Sequence, residues 1–523
     1  MTRWAATAGA TVLAVALGAC TPAATPTAQH EAAPNEVSGV DIPAGRVDAA
    51  VAKLDGLARE LMNSTGIPGL AVAVVYGGKT VYAKGFGVRD TRNGAGPDNA
   101  VNADTVFQLA SVSKSVGATV VAQQVSAGAI AWDTPVVTQL PWFALSDPYV
   151  TDHLTIADLY AHRSGLPDHA GDRLEDLGYD RREVLQRLKY LPLAPFRDNY
   201  DYTNFGLTAA AEAVAGAAGV PWEQLSADVL YRPLGMTSTS SRHADFLARP
   251  NRALTHVKVG DSYQPRYQRN PDAQSPAGGV SSSANDMARW LAMVLANGSH
   301  DGTQIIAPEA LLPAITPQVI SAPAGVGTAR PGFYGEGFNV SITSSGRTQY
   351  GHSGAFLLGA ATAFSALPSQ DVGIVVLSNA TPIGVPETLI AQFLDLVQYG
   401  EIRENWPTLY RQALAPMSEP EGTLVGAGPP AHPGPARPLS DYVGEYANSY
   451  WGPATVTEDH GALDVTLGPQ HQRFRLSHYD GDTFTFALQG ENAPDGTIST
   501  AKFSKDAVEL EYFDHDKLGR FTR

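Results

Sequence analysis

The sequence predicts an α+β body followed by a small antiparallel β-sandwich or β-barrel. Three observations predict it: β-rich runs stand at both ends of the body with helical periodicity between them, Pro-rich stretches bound the body on either side, and short alternating apolar–polar runs recur after the second stretch. With 523 residues, 44% of them hydrophobic and 17% charged, the chain can bury at least one large core and is not of low complexity. Thirty-six basic against fifty-two acidic side chains give a net charge of −16. That balance excludes a nucleic-acid partner, whose binding rests on Lys and Arg neutralising phosphates.

The chain opens with MTRWAATAGATVLAVALGAC, one positive charge at Arg3, an apolar run, then small residues and Cys20. Because this is the single cysteine of the sequence, no intramolecular disulfide and no Cys-based zinc or redox site can form. The apolar run is too short to span a bilayer, and its order of charge, apolar core and small residues is that of an export signal. Residues 1–20 resemble a bacterial lipoprotein signal, which implies that Cys20 is lipidated and becomes the new N-terminus. The expected location is periplasmic or outer-membrane-associated, with membrane contact only through that anchor. Residues 21–45, rich in Ala, Pro and Thr without an apolar period, suit a flexible tether.

The body is expected over 46–412. Residues 70–76 and 79–83 are β-rich and flank Gly77-Gly78, which reads as a hairpin. Gly78-Lys79-Thr80 is not a phosphate-binding loop, since Ala73 stands where the first Gly is needed and the turn joins two strands. Helical periodicity follows at 111–127, 156–159, 207–217 and 284–296, and strand-like runs at 358–365 and 372–378. Strands at both ends of the body could share one sheet. Residues 413–438 are too rich in Pro and Gly for a helix or a central strand, so a boundary falls there. In 439–523, runs such as Leu463-Asp464-Val465-Thr466-Leu467 alternate between Gly, Asn and Asp clusters, the pattern of a sandwich or small barrel.

Neither a G-x-S-x-G elbow nor an H-E-x-x-H zinc helix is present. Ser-x-x-Lys occurs twice, at Ser111-Val112-Ser113-Lys114 and Ser499-Thr500-Ala501-Lys502. Side chains three apart share a helix face but point to opposite faces of a strand. The first pair opens a helical run and the second lies in an alternating one, so only Ser111 and Lys114 can touch. A serine at a helix start also leaves its backbone N–H free to bind an anion. Tyr-x-Asn occurs at Tyr202-Thr203-Asn204 and at Tyr446-Ala447-Asn448, and His-x-Gly at His169, His300, His352 and His432. Singly, each of these is an ordinary turn or core residue.

Taken together, FQLASVSKSVGA at 107–118, DYTNFGL at 201–207 and YGHSGAFLLG at 350–359 resemble the motifs of the serine β-lactamase and penicillin-recognising superfamily. The similarity is greatest to the branch related to class C β-lactamases. It extends over roughly residues 50–400, through LTIADLYAHRSGLPDH, RPLGMTSTS and PAGGVSSSANDMARWLAMVL. The last part of the chain, from DYVGEYANSYWGPATV onward, resembles the lipocalin-like β-domain found after the catalytic domain in some of these proteins. The implied fold is a β-lactamase-like domain, an antiparallel sheet flanked by helices plus an all-helical region, followed by that β-barrel.

The resemblance implies a serine hydrolase in which Ser111, Lys114 and Tyr202 form one proton-transfer unit, without metal or organic cofactor. It maps Asn204 to a contact with the substrate amide, and Ala355, after His352, Ser353 and Gly354, to the second backbone donor of an oxyanion hole. Lys114 can accept the Ser111 proton only if neutral, a shift of about three units from ~10.4, or about 4 kcal/mol. Alternatively, Tyr202 near a charged Lys114 becomes the more acidic group, and the choice between these bases stays open. Where relatives that bind penicillins carry Lys-Thr-Gly, this chain has His352, which is mostly neutral at pH 7 and makes a penicillin carboxylate a poor substrate. The His-x-Gly branch points instead to esterases, D-amino-acid peptidases and hydrolases of opened cyclic peptides. Short or unusual linear peptides are favoured over esters, chiefly on account of the C-terminal β-region. A β-lactamase, a penicillin-binding protein and a non-catalytic envelope binder are the remaining alternatives.

Overall fold

A computed structural model describes residues 33 and 35–523; Cys20 and the signal segment lie outside the described residues. After helix α1 (Leu54–Thr65), strands β1 (Gly69–Tyr76) and β2 (Lys79–Gly87) form the expected hairpin. Gly77 and Gly78 turn it with φ of 60° and 69°, the left-handed backbone that such a two-residue turn demands. Six further strands complete the sheet: β3 (Val319–Ala322), β4 (Gly332–Tyr334), β5 (Asn339–Ile342), β6 (Thr348–Phe356), β7 (Ala360–Leu367) and β8 (Val372–Ser378). Their order is β2-β1-β8-β7-β6-β5-β4-β3, and every neighbouring pair is antiparallel. The first and last parts of the body thus meet in one sheet, with Leu70 opposite Ser378 and Tyr76 opposite Val372.

β1 is apolar throughout because both sheet faces are covered. Leu70, Val72 and Val74 pack with Leu54, Ala58 and Leu61 of α1 and with Leu389 and Phe393 of the helix Val385–Tyr399. Ala71, Ala73 and Val75 belong to the larger core on the opposite face. That core contains the helical region inserted between β2 and β3. At its centre lies α2 (Val112–Ser126), which packs beside α3 (Asn204–Ala218), while α4 (Ala284–Leu295) lies on β1 and β8 and its Trp290 donates to Thr119 of α2 at 3.1 Å. α2 is buried on nearly every side, and Gly117 lets the Pro276 carbonyl, Trp222 and Tyr160 approach to 3.2–3.4 Å of where a Cβ would sit. The body is α+β, as its mixed periods predict.

The C-terminal β-region departs from expectation. Strands β9 (Gly444–Tyr446), β10 (Ala454–Asp459), β11 (Ala462–Leu467) and β12 (Gln472–Arg475) form one antiparallel sheet. A second holds β13 (Ser477–Asp480), β14 (Thr483–Ala487), β15 (Ile498–Phe503), β16 (Ala507–Leu510) and β17 (Arg520–Thr522). A barrel needs one unbroken ladder with a consistent stagger. Here β12 and β13, with only Leu476 between them, fall in different sheets, and β17 reaches the first sheet through the isolated bridge Ala447–Thr522. The sheets are open, so neither the β-barrel nor the lipocalin-like domain forms. Alternation could not foretell this, because it reports a buried face and says nothing of closure. Tyr442, Phe484 and Phe503 fill the interior with ring centroids 4.8–5.7 Å apart. Among the described residues no helix is long and apolar enough to cross a membrane.

Candidate active site

Ser111 is the N-cap of α2, preceded by Ala110 in the left-handed conformation (φ 48°). A non-glycine residue held there costs about 1–3 kcal/mol, and such strain clusters at functional sites. Lys114, one turn along α2, is 0% exposed, and its Nζ has three neighbours: Ser111 Oγ at 3.0 Å, Asn204 Oδ1 at 2.6 Å and the Ala277 carbonyl at 3.1 Å. Burial lowers Lys114 to about 7 against the opposing pull of the Asp172 carboxylate. The Lys114 amine also lies 4.5 Å from the centroid of the Tyr202 ring.

Tyr202 and Asn204 sit at the start of α3, and their loop is tied from two sides. His169 donates its backbone N–H to the Tyr202 carbonyl at 2.8 Å, and His162 Nδ1 accepts the Thr203 N–H at 3.1 Å. Both histidines have positive φ, 55° at His162 and 57° at His169. Burial raises the Tyr202 phenol well above its usual range, although the Ser111 hydroxyl bonds to it and pulls the other way. Tyr202 is therefore protonated across the physiological range.

β6 brings the third motif alongside. At Gly354 a Cβ would collide with the Leu109 carbonyl and lie 2.5 Å from Thr362 Oγ1 and 3.0 Å from the Ser111 nitrogen. Only a glycine lets the strand come so close to the start of α2. Ser111, Tyr202, Asn204 and Ala355 line one cleft of about 600 Å³, with Lys114 beneath it.

His352 does not line this cleft. It is 6% exposed, and both ring nitrogens are taken: Nδ1–H donates to the Ser353 carbonyl at 2.6 Å and Nε2 accepts the Tyr334 hydroxyl at 2.8 Å. A carbonyl can only accept, so the proton sits on Nδ1. Burial, helped by nearby Lys114, lowers His352 to about 3. It is a neutral, internally bonded ring. The second Ser-x-x-Lys pair is also apart, with Ser499 buried and Lys502 exposed on opposite faces of β15.

Other residues of the site escape sequence reasoning. Asp172 Oδ2 accepts from Asn204 Nδ2 at 2.7 Å and from His169 Nδ1 at 2.8 Å. This fixes the Asn204 amide with its oxygen toward Lys114. Burial opposes a charge on His169, but the Asp172 carboxylate outweighs it and lifts the imidazole above its ordinary value. The nearest sequence signal was the His-x-Gly spacing at His169, which His300 and His432 share. The linker and the C-terminal region also reach the cleft, where Met417, Glu421, Tyr450, Trp451, Glu491 and Asn492 form part of its wall.

Residues 54–398 match the Beta-lactamase family model, and residues 428–523 match a domain of unknown function, DUF3471. The unguisins hydrolase ungD' of Aspergillus campestris is 27% identical over 411 residues, which cover 74% of this chain and 73% of the relative. The D-alanyl-D-alanine-carboxypeptidase/endopeptidase AmpH of Escherichia coli is 26% identical over 254 residues, 47% of this chain and 62% of the relative. The octameric penicillin-binding protein homologue from Pyrococcus abyssi shares the fold with a TM-score of 0.59 over 90% of this chain and 100% of that one, at 19% identity.

Proposed function

This chain belongs to the β-lactamase family and is a serine hydrolase, and on that premise we propose that it acts through an acyl-enzyme on Ser111 and cleaves amide bonds in short or unusual linear peptides, including D-residue-containing and opened cyclic ones. The observation that carries the acyl-enzyme reading is the set of three neighbours around Lys114 Nζ. Asn204 Oδ1 and the Ala277 carbonyl are pure acceptors. A neutral amine gives its two protons to them and keeps its lone pair for the Ser111 hydroxyl. Lys114 at about 7 is available as that base, whereas Tyr202 holds its proton and supplies it to the leaving group.

In this mechanism Ser111 Oγ attacks the scissile carbonyl as its proton passes to Lys114. The Ser111 and Ala355 N–H groups receive the oxyanion, each such donor being worth about 3–4 kcal/mol of barrier. Tyr202 protonates the departing amine, and water then attacks the acyl group with the same groups reversed. Asn204 presents its second N–H to the substrate amide.

The peptide reading is supported by the edge of β6. β5 pairs with β6 only from Thr348 to Gly351, so among the described residues the stretch from His352 to Phe356 has no strand partner on that side, and Ser353, Ala355 and Phe356 line the cleft. An extended peptide can pair with such an edge, which an ester without amide groups cannot. The name of the E. coli relative, a carboxypeptidase/endopeptidase, fits the same chemistry. A neutral, internally bonded His352 offers no cation for a penicillin carboxylate. Export with lipidation at Cys20 belongs to the same proposal, and mass spectrometry of the mature N-terminus tests it.

Fluorophosphonate labelling tests the acyl-enzyme: Ser111→Ala is expected to lose the label and Ser499→Ala to keep it. A label retained in Ser111→Ala would refute the assignment. Comparing kcat/KM on linear peptides and p-nitrophenyl esters tests the substrate class, and activity confined to esters would overturn the peptide reading.

A further inference from the structure

Two consecutive residues of the C-terminal region touch opposite walls of the cleft. On one side, Glu491 accepts the Leu357 N–H at 2.9 Å through Oε1 and the Leu358 N–H at 3.3 Å through Oε2. Those are the first residues after β6, the strand that carries Gly354 and Ala355. On the other side, Asn492 donates from Nδ2 to Asp176 Oδ2 at 2.9 Å and to the Asp172 carbonyl at 3.3 Å, and its own N–H reaches Asp176 Oδ2 at 3.2 Å. Asp172 and Asp176 begin and end one short helix, and the Asp172 carboxylate orients Asn204.

The pair is itself held in place. Tyr512 donates its hydroxyl to the Asn492 carbonyl at 2.7 Å, and Gly490 closes a tight turn by donating to the Ala493 carbonyl at 3.1 Å. Buried Arg269 lies 4.0 Å from Glu491 and bonds Glu175 Oε2 at 2.5 Å, on the helix that Asn492 grips. Burial raises Glu491 to about 8, with Arg269 and the two N–H bonds pulling the other way; a carboxyl group whose two oxygens meet successive backbone N–H groups fixes both the position and the direction of that backbone. An amide donating to a helix does the same for the helix.

We propose that Glu491 and Asn492 are positioning residues through which the C-terminal region holds the oxyanion strand and the Asp172 helix at working distance from Ser111. The inference rests on the acyl-enzyme reading and gives the domain of unknown function a part in catalysis: it completes a cleft whose chemical groups all come from the body. Neither residue touches the reacting atoms. Their effect is on the alignment of Ala355 with Ser111 on one side and of Asn204 with Lys114 on the other.

The test uses the full chain and isosteric variants. In Glu491→Gln one oxygen still accepts from Leu357, but the amide group opposes the Leu358 N–H. In Asn492→Asp the side chain can no longer donate and places a carboxylate against Asp176. Hydrolysis of a p-nitrophenyl ester is measured well below each variant's unfolding midpoint, with active sites titrated by fluorophosphonate. The expected result is a fall in kcat per labelled serine of about tenfold in each variant and of about 100-fold in Glu491→Ala, with KM changed less than about threefold. A purely structural role would lower the unfolding midpoint and leave kcat per labelled site intact. Values of kcat within about twofold of wild type in both isosteric variants would overturn the proposal. A wild-type protein that takes no label would overturn the acyl-enzyme reading and this inference together, whereas a labelled wild type with unaffected variants overturns this inference alone.

Discussion

If Lys114 is the base that activates Ser111, kcat/KM must climb with pH through about 7. Burial moves the amine from its ordinary 10.5 to about 7, which corresponds to about 5 kcal/mol against holding the ammonium in place. About one tenth of the Lys114 side chains are then neutral at pH 6, half at pH 7 and nine tenths at pH 8. The expected rise from pH 6 to pH 8 is therefore about tenfold. Asp172 supplies the perturbation, since its carboxylate favours the protonated amine and works against burial. Removing that charge in Asp172→Asn shifts the acid limb toward lower pH. The plateau falls at the same time, because the bond that orients Asn204 loses its charged acceptor. Initial rates at subsaturating substrate, across one buffer system and with titrated active sites, give the free-enzyme profile. A flat profile between pH 6 and 8, or a rise only above about pH 10 where a tyrosine would ionise, would refute Lys114 as the base. An acid limb that moves upward in Asp172→Asn would refute the charge argument.

Tyr202→Phe is expected to lower kcat by about 100- to 1000-fold, within the range for removal of a positioned acid, while fluorophosphonate still labels Ser111, because the phenol serves the leaving group more than the attack. Gly354→Ala places a methyl against the Leu109 carbonyl and Thr362 Oγ1, so β6 must draw back from Ser111. We expect kcat to fall by about 100-fold with a much smaller change in unfolding midpoint, and activity within threefold of wild type would contradict the close approach. His352 gives a stability test whose sign follows from burial, the larger cause, and from the neighbouring Lys114. Its folded value of about 3 lies below an unfolded value of about 6.5, so the unfolded chain binds the extra proton between those limits. Stability is thus lost as pH falls below about 6.5, by about 3 kcal/mol at pH 4.5 from this residue. Urea unfolding of the wild type and His352→Asn at both pH values checks this, and identical slopes in the two proteins would contradict it.

What could be read from the sequence depended on how locally each feature is encoded. The hairpin of β1 and β2 is written in two apolar runs and two glycines, and β8 in an apolar stretch buried on both faces. The two Ser-x-x-Lys pairs were separable because a helix and a strand place the third residue on different faces. Ser111 and Lys114 meet at 3.0 Å, while Ser499 is buried and Lys502 exposed. β6 was not legible as a strand. Its TQYGHSGAF has weak β propensity, and it is extended because β7 pairs along it from Tyr350 to Phe356. The same distance effect hid the state of His352, whose partner Tyr334 lies in another strand of the sheet.

The residues missed in the C-terminal region share a physical feature. Glu491 bonds to two backbone N–H groups more than 130 residues away, and Asn492 reaches a backbone carbonyl and a carboxylate more than 310 residues away. Backbone groups are carried by every residue, so a side chain that works by gripping them imposes no residue type and no spacing on its partner. A nucleophile and its base must be particular side chains, and where they stand one helical turn apart, as Ser111 and Lys114 do, that demand leaves a motif. Groups that align such a pair answer only to where the chain passes in three dimensions. Alternation in the C-terminal region could therefore announce sheets without announcing either that they stay open or that a turn between two of their strands closes the wall of the cleft.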